Sequence, residues 1–200
     1  MTSRSGDVLS LVLVLALAYC AAGAIDEVGW AEGTGFLIWD ALLAVLLAYV
    51  LALSPLPGWM AAPIAVVLGL ELILITVGGL WPPLAYVRLD LAQIGGWWEA
   101  LRWGQWQGLG PPAPETLAYV ERQLAGMFYR VWVWFWRAYF GQQNADRQVW
   151  LLLVSVGLYS VTLFASWQVF RQWRASLGMA VLGAALSINS FLASQRPTWA

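Results

Sequence analysis

Glu71 interrupts residues 60–80, a run that otherwise carries no formal charge. An acid at the centre of a membrane span is expensive and marks a functional site by default. Its carboxyl can relay a proton or bind a cation. It can equally sit protonated and hydrogen-bonded inside a helical bundle. Ser155, Tyr159, Thr162 and Ser166 fall on one helical stripe of a later apolar run, with Tyr159 at a similar depth. This spacing predicts an intramembrane polar cluster of Glu71, Ser155, Tyr159 and Thr162. No second midplane acid and no intramembrane base completes a relay, so Glu71 is expected to bond to Tyr159 or a nearby hydroxyl in a structural role. A proton- or ion-coupled transporter using Glu71 is the weaker alternative. Asp40 lies only about one turn inside its run and is expected to reach the interface, solvated.

The remaining chemistry is narrow. The 200 residues contain no His, a single Cys and no Lys. Imidazole is the usual axial haem ligand, the commonest metal ligand and the usual base beside a nucleophile. No metal site, no catalytic residue and no dedicated cofactor is therefore expected. Carotenoids, lipids and quinones need no ligating residue and stay open. Cys20 lies inside the first apolar run, where a buried thiol behaves as a small apolar group. It can form no intrachain disulfide. The formal net charge of −1 argues against nucleic acid.

The elements that must position these groups are membrane helices. Hydrophobic residues make up 61% and charged residues 10% of the chain, against about 25% charged in soluble domains. Five apolar runs, residues 8–25, 36–53, 60–80, 149–170 and 175–192, each approach the roughly 20 residues that span a bilayer. The first resembles a signal peptide in having Arg4 before it and Ala22 and Ala24 near its end. Its length and the acids that follow favour an uncleaved span. Ala18 and Ala22, and Ala180, Gly183, Ala184 and Ser187 in the last run, are close-packing signals. Asn189 is a candidate interhelical hydrogen bonder.

Arginines in short flanks set orientation. Arg4, Arg171 and Arg174 are expected in the cytoplasm, with the 54–58 turn. Asp26, Glu27 and Glu32, the long 81–147 segment and the C-terminus are then outside. Within that segment Leu84, Val87, Leu91, Ile94, Trp98 and Leu101 repeat at helical spacing, with Arg88, Asp90, Gln93, Glu99 and Arg102 on other faces. Glycines and prolines from Gly104 to Pro112 break the pattern. Pro114 can open a second helix with Leu117, Val120, Leu124, Met127, Val131, Trp134 and Ala138 on one face. Gly141 suits its end, and Asn144 or Asp146 can cap the next run. Beyond Trp81 at its start, this segment holds seven of the 15 tryptophans: Trp97, Trp98, Trp103, Trp106, Trp132, Trp134 and Trp136. Two amphipathic helices with interfacial Trp anchors are expected. A stacking platform for a pigment, quinone or glycan is the alternative.

The order of features resembles the N-terminal membrane region of large bacterial transglutaminase-like proteins, such as those of Chloroflexi. An acid, Trp30 and Gly35 precede a span ending near Pro55 and Pro57. Trp136 leads into Gly141, Asp146 and the 149–170 run, which closes on Trp167, Phe170, Arg171 and Trp173. The last run leads to Asn189. Residues 81–107 match only in character, and none of these motifs is catalytic. In that family more spans follow, then an extracytoplasmic domain with a papain-like Cys-His-Asp triad. With no His, no triad carries over, so the chain is expected to be a fragment or a stand-alone relative. The resemblance implies a non-catalytic, multi-pass, all-α module of the cytoplasmic (inner) membrane that anchors and orients an extracytoplasmic domain or partner. A small accessory subunit of a larger membrane complex is the alternative. The bilayer itself is the first partner.

Overall fold

Hydrocarbon offers backbone groups no hydrogen bonds, so an apolar run must satisfy its own, and a helix does this. In a computed structural model, residues 4–28, 34–104, 110–142 and 146–194 are described. They form α1 (Arg4–Val28), a 3-10 turn (Thr34–Phe36), α2 (Leu37–Leu53), α3 (Gly58–Thr76), α4 (Leu84–Arg102), α5 (Pro114–Tyr139), α6 (Arg147–Phe170) and α7 (Ala175–Ser194). Among these residues there is no strand. Four stretches are long and apolar enough to cross a membrane: Val8–Glu27, Thr34–Leu53, Gly58–Thr76 and Arg147–Phe170. The fifth expected span is present as a shorter apolar helix, Ala175–Phe191. Trp30, Trp106 and Asn144 lie outside the described residues.

By compactness the chain divides into two units. One comprises Met1–Ile73 with Trp150–Ala200, the other Leu74–Val149. In the first, Val14, Ala18 and Ala22 of α1 pack on Leu37, Ala41 and Val45 of α2, with Leu158 and Val169 of α6 completing the cluster. Alanines at four-residue spacing let these backbones approach, which is how helices gain contact where lipid removes the hydrophobic drive. Leu51, Ala61 and Ala65 form a second cluster with Leu163 and Trp167.

The last helix packs differently from the sequence expectation. Ala180, Gly183, Ala184 and Ser187 are exposed, and the Ser187 hydroxyl turns back to the Gly183 carbonyl. Contact runs instead through Gly178 and Leu182. A methyl on Gly178 would fall within 3.0 Å of the Ala165 carbonyl oxygen and Val169 Cγ2. Cys20 is also corrected: it is exposed on the outer face of α1, not buried.

Hydrogen bonds tie both ends of this unit. At one end the Arg171 guanidinium lies over the Trp167 ring, 5.2 Å from its centroid. Its Nη1 donates to the Leu51 carbonyl at 2.8 Å, and its Nη2 donates to that of Leu56. The α2–α3 and α6–α7 turns thus share an end. At the other end Asn189 Nδ2 donates to the Ala24 carbonyl at 3.2 Å, and the Thr34 hydroxyl donates to Asp26.

The second unit is organised by an acid placed among outward polar residues from the sequence. Asp90 is buried (3% exposed), and its two carboxylate oxygens accept from the amides of Glu115 at 3.1 Å and Thr116 at 2.9 Å. These are first-turn amides of α5, which Pro114 opens, and a helix has no internal acceptor for them. The inward position of Asp90 leaves Leu84, Leu91, Ile94 and Trp98 of α4 exposed. On α5 the expected face is largely turned inward, with Met127 buried. The Tyr119 hydroxyl donates to the Gly79 carbonyl at 2.9 Å, and Gln148 Nε2 to that of Val77 at 3.1 Å. Asp146 caps α6 by accepting from the amides of Gln148 and Val149.

Candidate functional site

The polar stripe read on α6 exists, and it faces into the first unit. Ser155, Thr162 and Ser166 are fully buried, and Tyr159 is 4% exposed. Hydroxyls there must find acceptors or leave polar atoms unsatisfied in an apolar setting. Ser166 resolves this locally, donating to the Thr162 carbonyl at 2.7 Å. Tyr159 resolves it across helices, donating to the Ala65 carbonyl of α3 at 2.8 Å. The ring reaches that carbonyl because α3 carries Gly69 where it passes. A methyl on Gly69 would lie within 3.0 Å of Tyr159 Cζ, Cε1 and Oη.

Glu71 is not part of this cluster, contrary to the sequence expectation. The buried residues of α3 are Ala61, Ala65, Gly69 and Ile73, a four-residue repeat that defines its packed face. Two residues beyond Gly69 is about 200° around a helix. Glu71 is accordingly exposed, and its carboxyl has no partner among the described residues. The small-residue repeat 61–65–69 was a usable signal: it sets the face and hence the direction of Glu71.

The buried acid is Asp40, which the sequence placed in solvent. It is 0% exposed. Ser155 lies beside it outside hydrogen-bond geometry, and neither carboxyl oxygen of Asp40 has a partner among the described residues. Ser155 Oγ, Thr162 Oγ1 and Gln168 Oε1 are likewise buried without partners. Asp40 was missed because depth along a helix was weighed without direction around it. Asp40, Ala44 and Ala48 share the spacing of a packed face, and all three are fully buried.

The tryptophans separate into two kinds. Trp98, Trp103, Trp132 and Trp136 are exposed. Trp97 and Trp134 are half-buried. The Trp97 indole donates to the Gly110 carbonyl at 3.1 Å, holding the end of the loop to α4. Trp132 stacks on Trp136 at 6.2 Å between centroids, and Trp136 on Tyr139 at 6.4 Å. With Phe128, Tyr129, Phe135 and Phe140, these give α5 a second, outward aromatic face. Among the described residues no group of three or more His, Cys, Asp or Glu is placed to hold a metal.

The arrangement offers hydroxyls, one buried carboxyl and one outward carboxyl. Such groups can bind and orient, and among the described residues no nucleophile is paired with a base. No family model, curated protein or solved structure matches the chain.

Proposed function

We propose that the chain is a non-catalytic, multi-pass membrane module that anchors and orients an extracytoplasmic domain or partner. The observation that carries this is the outward carboxyl of Glu71 on α3, a candidate membrane span. Acids inside membranes almost always face a bundle interior or a water-filled cavity and pair there. Among the described residues Glu71 faces neither. A further helix that supplies a hydrogen-bond donor or a cation satisfies it. That helix belongs to following spans of a longer transglutaminase-like protein, or to a separate protein for which this chain is an accessory subunit. The exposed aromatic face of α5 supports the same role, since Trp and Tyr anchor a module at the headgroup layer.

A transporter built around Glu71 loses support, because the carboxyl lies on the side of α3 turned away from the buried hydroxyls. The proposed setting is the cytoplasmic membrane of a bacterium, with Arg171 inside and α4 and α5 outside.

Site-specific photocrosslinking tests the proposal. Benzoylphenylalanine at position 67 or 75, one turn either side of Glu71, is expected to crosslink to a second transmembrane helix in native membranes. Glu71→Leu should abolish the crosslink and leave the melt of the isolated chain unchanged. Lipid adducts alone, or a crosslink indifferent to Glu71→Leu, refute an interface there. The reading frame beyond Ala200 then separates the two versions: a following Cys-His-Asp domain supports the anchor, and a stop supports the subunit.

A further inference from the structure

A groove of about 460 Å³ lies between α3 and α6 in the first unit. This falls within the range of small-molecule sites, roughly 300–1,000 Å³. Ala65 and Leu70 of α3 form one wall, and Phe164 and Trp167 of α6 the other. From Val156 to Gln168 the α6 wall runs twelve residue steps, or about 18 Å of helix rise. That is the dimension of an extended lipid chain rather than of a compact solute.

Gln168 and Gln172 line the groove toward one end, and Tyr159 and Ser160 line it farther along, where the Tyr159 hydroxyl is already committed to the Ala65 carbonyl. Gln168 is 5% exposed, and its Oε1 has no hydrogen-bond partner among the described residues. A buried acceptor left unpaired is costly, and it calls for a donor that the described chain does not supply. No Arg, Lys, Asp or Glu lines the groove. Arg171, whose guanidinium lies over the ring of the lining residue Trp167, is already committed to the carbonyls of Leu51 and Leu56. A phosphate or carboxylate headgroup therefore finds no counter-charge there, whereas a hydroxyl finds an acceptor.

We infer that the α3–α6 groove binds a neutral lipid with a hydroxyl headgroup, its hydrocarbon along Phe164 and Trp167 and its O–H donated to Gln168 Oε1. Diacylglycerols and prenols share this chemistry. The site is independent of Glu71, which projects from another face of α3, so failure of one proposal leaves the other standing.

The test uses the full chain in phosphatidylcholine nanodiscs with three diazirine-tailed probes: a diacylglycerol, a prenol and a phosphatidylglycerol. At least one hydroxyl probe should label α3 or α6 about tenfold more than phosphatidylglycerol, and the stronger of the two identifies the source. Gln168→Leu should reduce that labelling to the phosphatidylglycerol level. A measurement on the unaltered chain guards against a misfolded variant. The unlabelled form of whichever hydroxyl lipid labels more strongly should compete about tenfold better than its O-methyl ether, which keeps the tails and lacks the donor; tenfold is the size expected for one buried hydrogen bond. Equal competition by the two, or phosphatidylglycerol labelling as strong as the hydroxyl probes, overturns the inference and leaves an unselective seam for bulk lipid.

Discussion

Gly69→Ala should be damaging although alanine is the better helix former. The added methyl would fall within 3.0 Å of three atoms of the Tyr159 ring and hydroxyl. That ring is 4% exposed, and to clear the methyl it must shift, toward the α3–α6 groove that it also lines, and release the 2.8 Å bond to the Ala65 carbonyl. Overpacking of this kind costs ~1–3 kcal/mol. An interhelical hydrogen bond in a membrane protein adds ~0.6–1.7 kcal/mol. The helix propensity of alanine over glycine returns about 1 kcal/mol. The net loss expected is ~0.6–4 kcal/mol. Tyr159→Phe, which keeps the ring and deletes only the donor, should lose ~0.6–1.7 kcal/mol. The decisive variant is Gly69→Ala in a Tyr159→Ala background. With the ring gone the notch is empty, and the same methyl should become neutral or stabilising by up to about 1 kcal/mol. Reversible unfolding of the four proteins in bicelles gives the coupling directly. If Gly69→Ala costs as much without Tyr159 as with it, the notch is not the reason for the glycine.

Three further outcomes are expected. Burial pushes the Asp90 carboxyl up, but the hydroxyl and amide of Thr116 and the amide of Glu115 outweigh it, so it sits below its ordinary value of 3.8. Its capping of α5 is then fully present above that value and is lost as pH falls through the lower, folded value; protection of the first-turn amides of α5, taken relative to their intrinsic exchange at the same pH, should fall below about pH 4 in the native chain, with no such step in Asp90→Asn, and protection that stays constant there in the native chain contradicts the cap. In a Cys20→Ala background, cysteine at position 112 should react with an impermeant maleimide on intact cells, and cysteine at position 171 only after lysis; the reverse pattern inverts the proposed orientation. The purified chain should show no peptidase or transglutaminase turnover and no stoichiometric Soret band, and turnover that survives repurification would reject the non-catalytic role.

Composition and run length alone settled that this is an all-helical membrane chain, because a bilayer admits few ways to satisfy a backbone. The helix starts were legible for the same local reason: Pro114 and Asp146 act within a turn of where they stand, and both open helices as their types predict. Asn189 was legible as an interhelical donor, though not its acceptor, Ala24. Direction around a helix was set by tertiary packing, and the sequence carried only a trace of it in the small-residue spacings 61–65–69 and 44–48. Glu71 reads as the buried acid by depth, yet Tyr159 needs the gap at Gly69, and packing that gap inward turns Glu71 outward. Asp40 reads as solvated by depth, yet it shares the face of Ala44 and Ala48 and is carried into the core with them. Asp90 reads as one polar residue among five, yet the first-turn amides of α5 draw it inward. In each case the side chain's own chemistry sets the cost of its position, and which face its helix packs decides whether that cost is met.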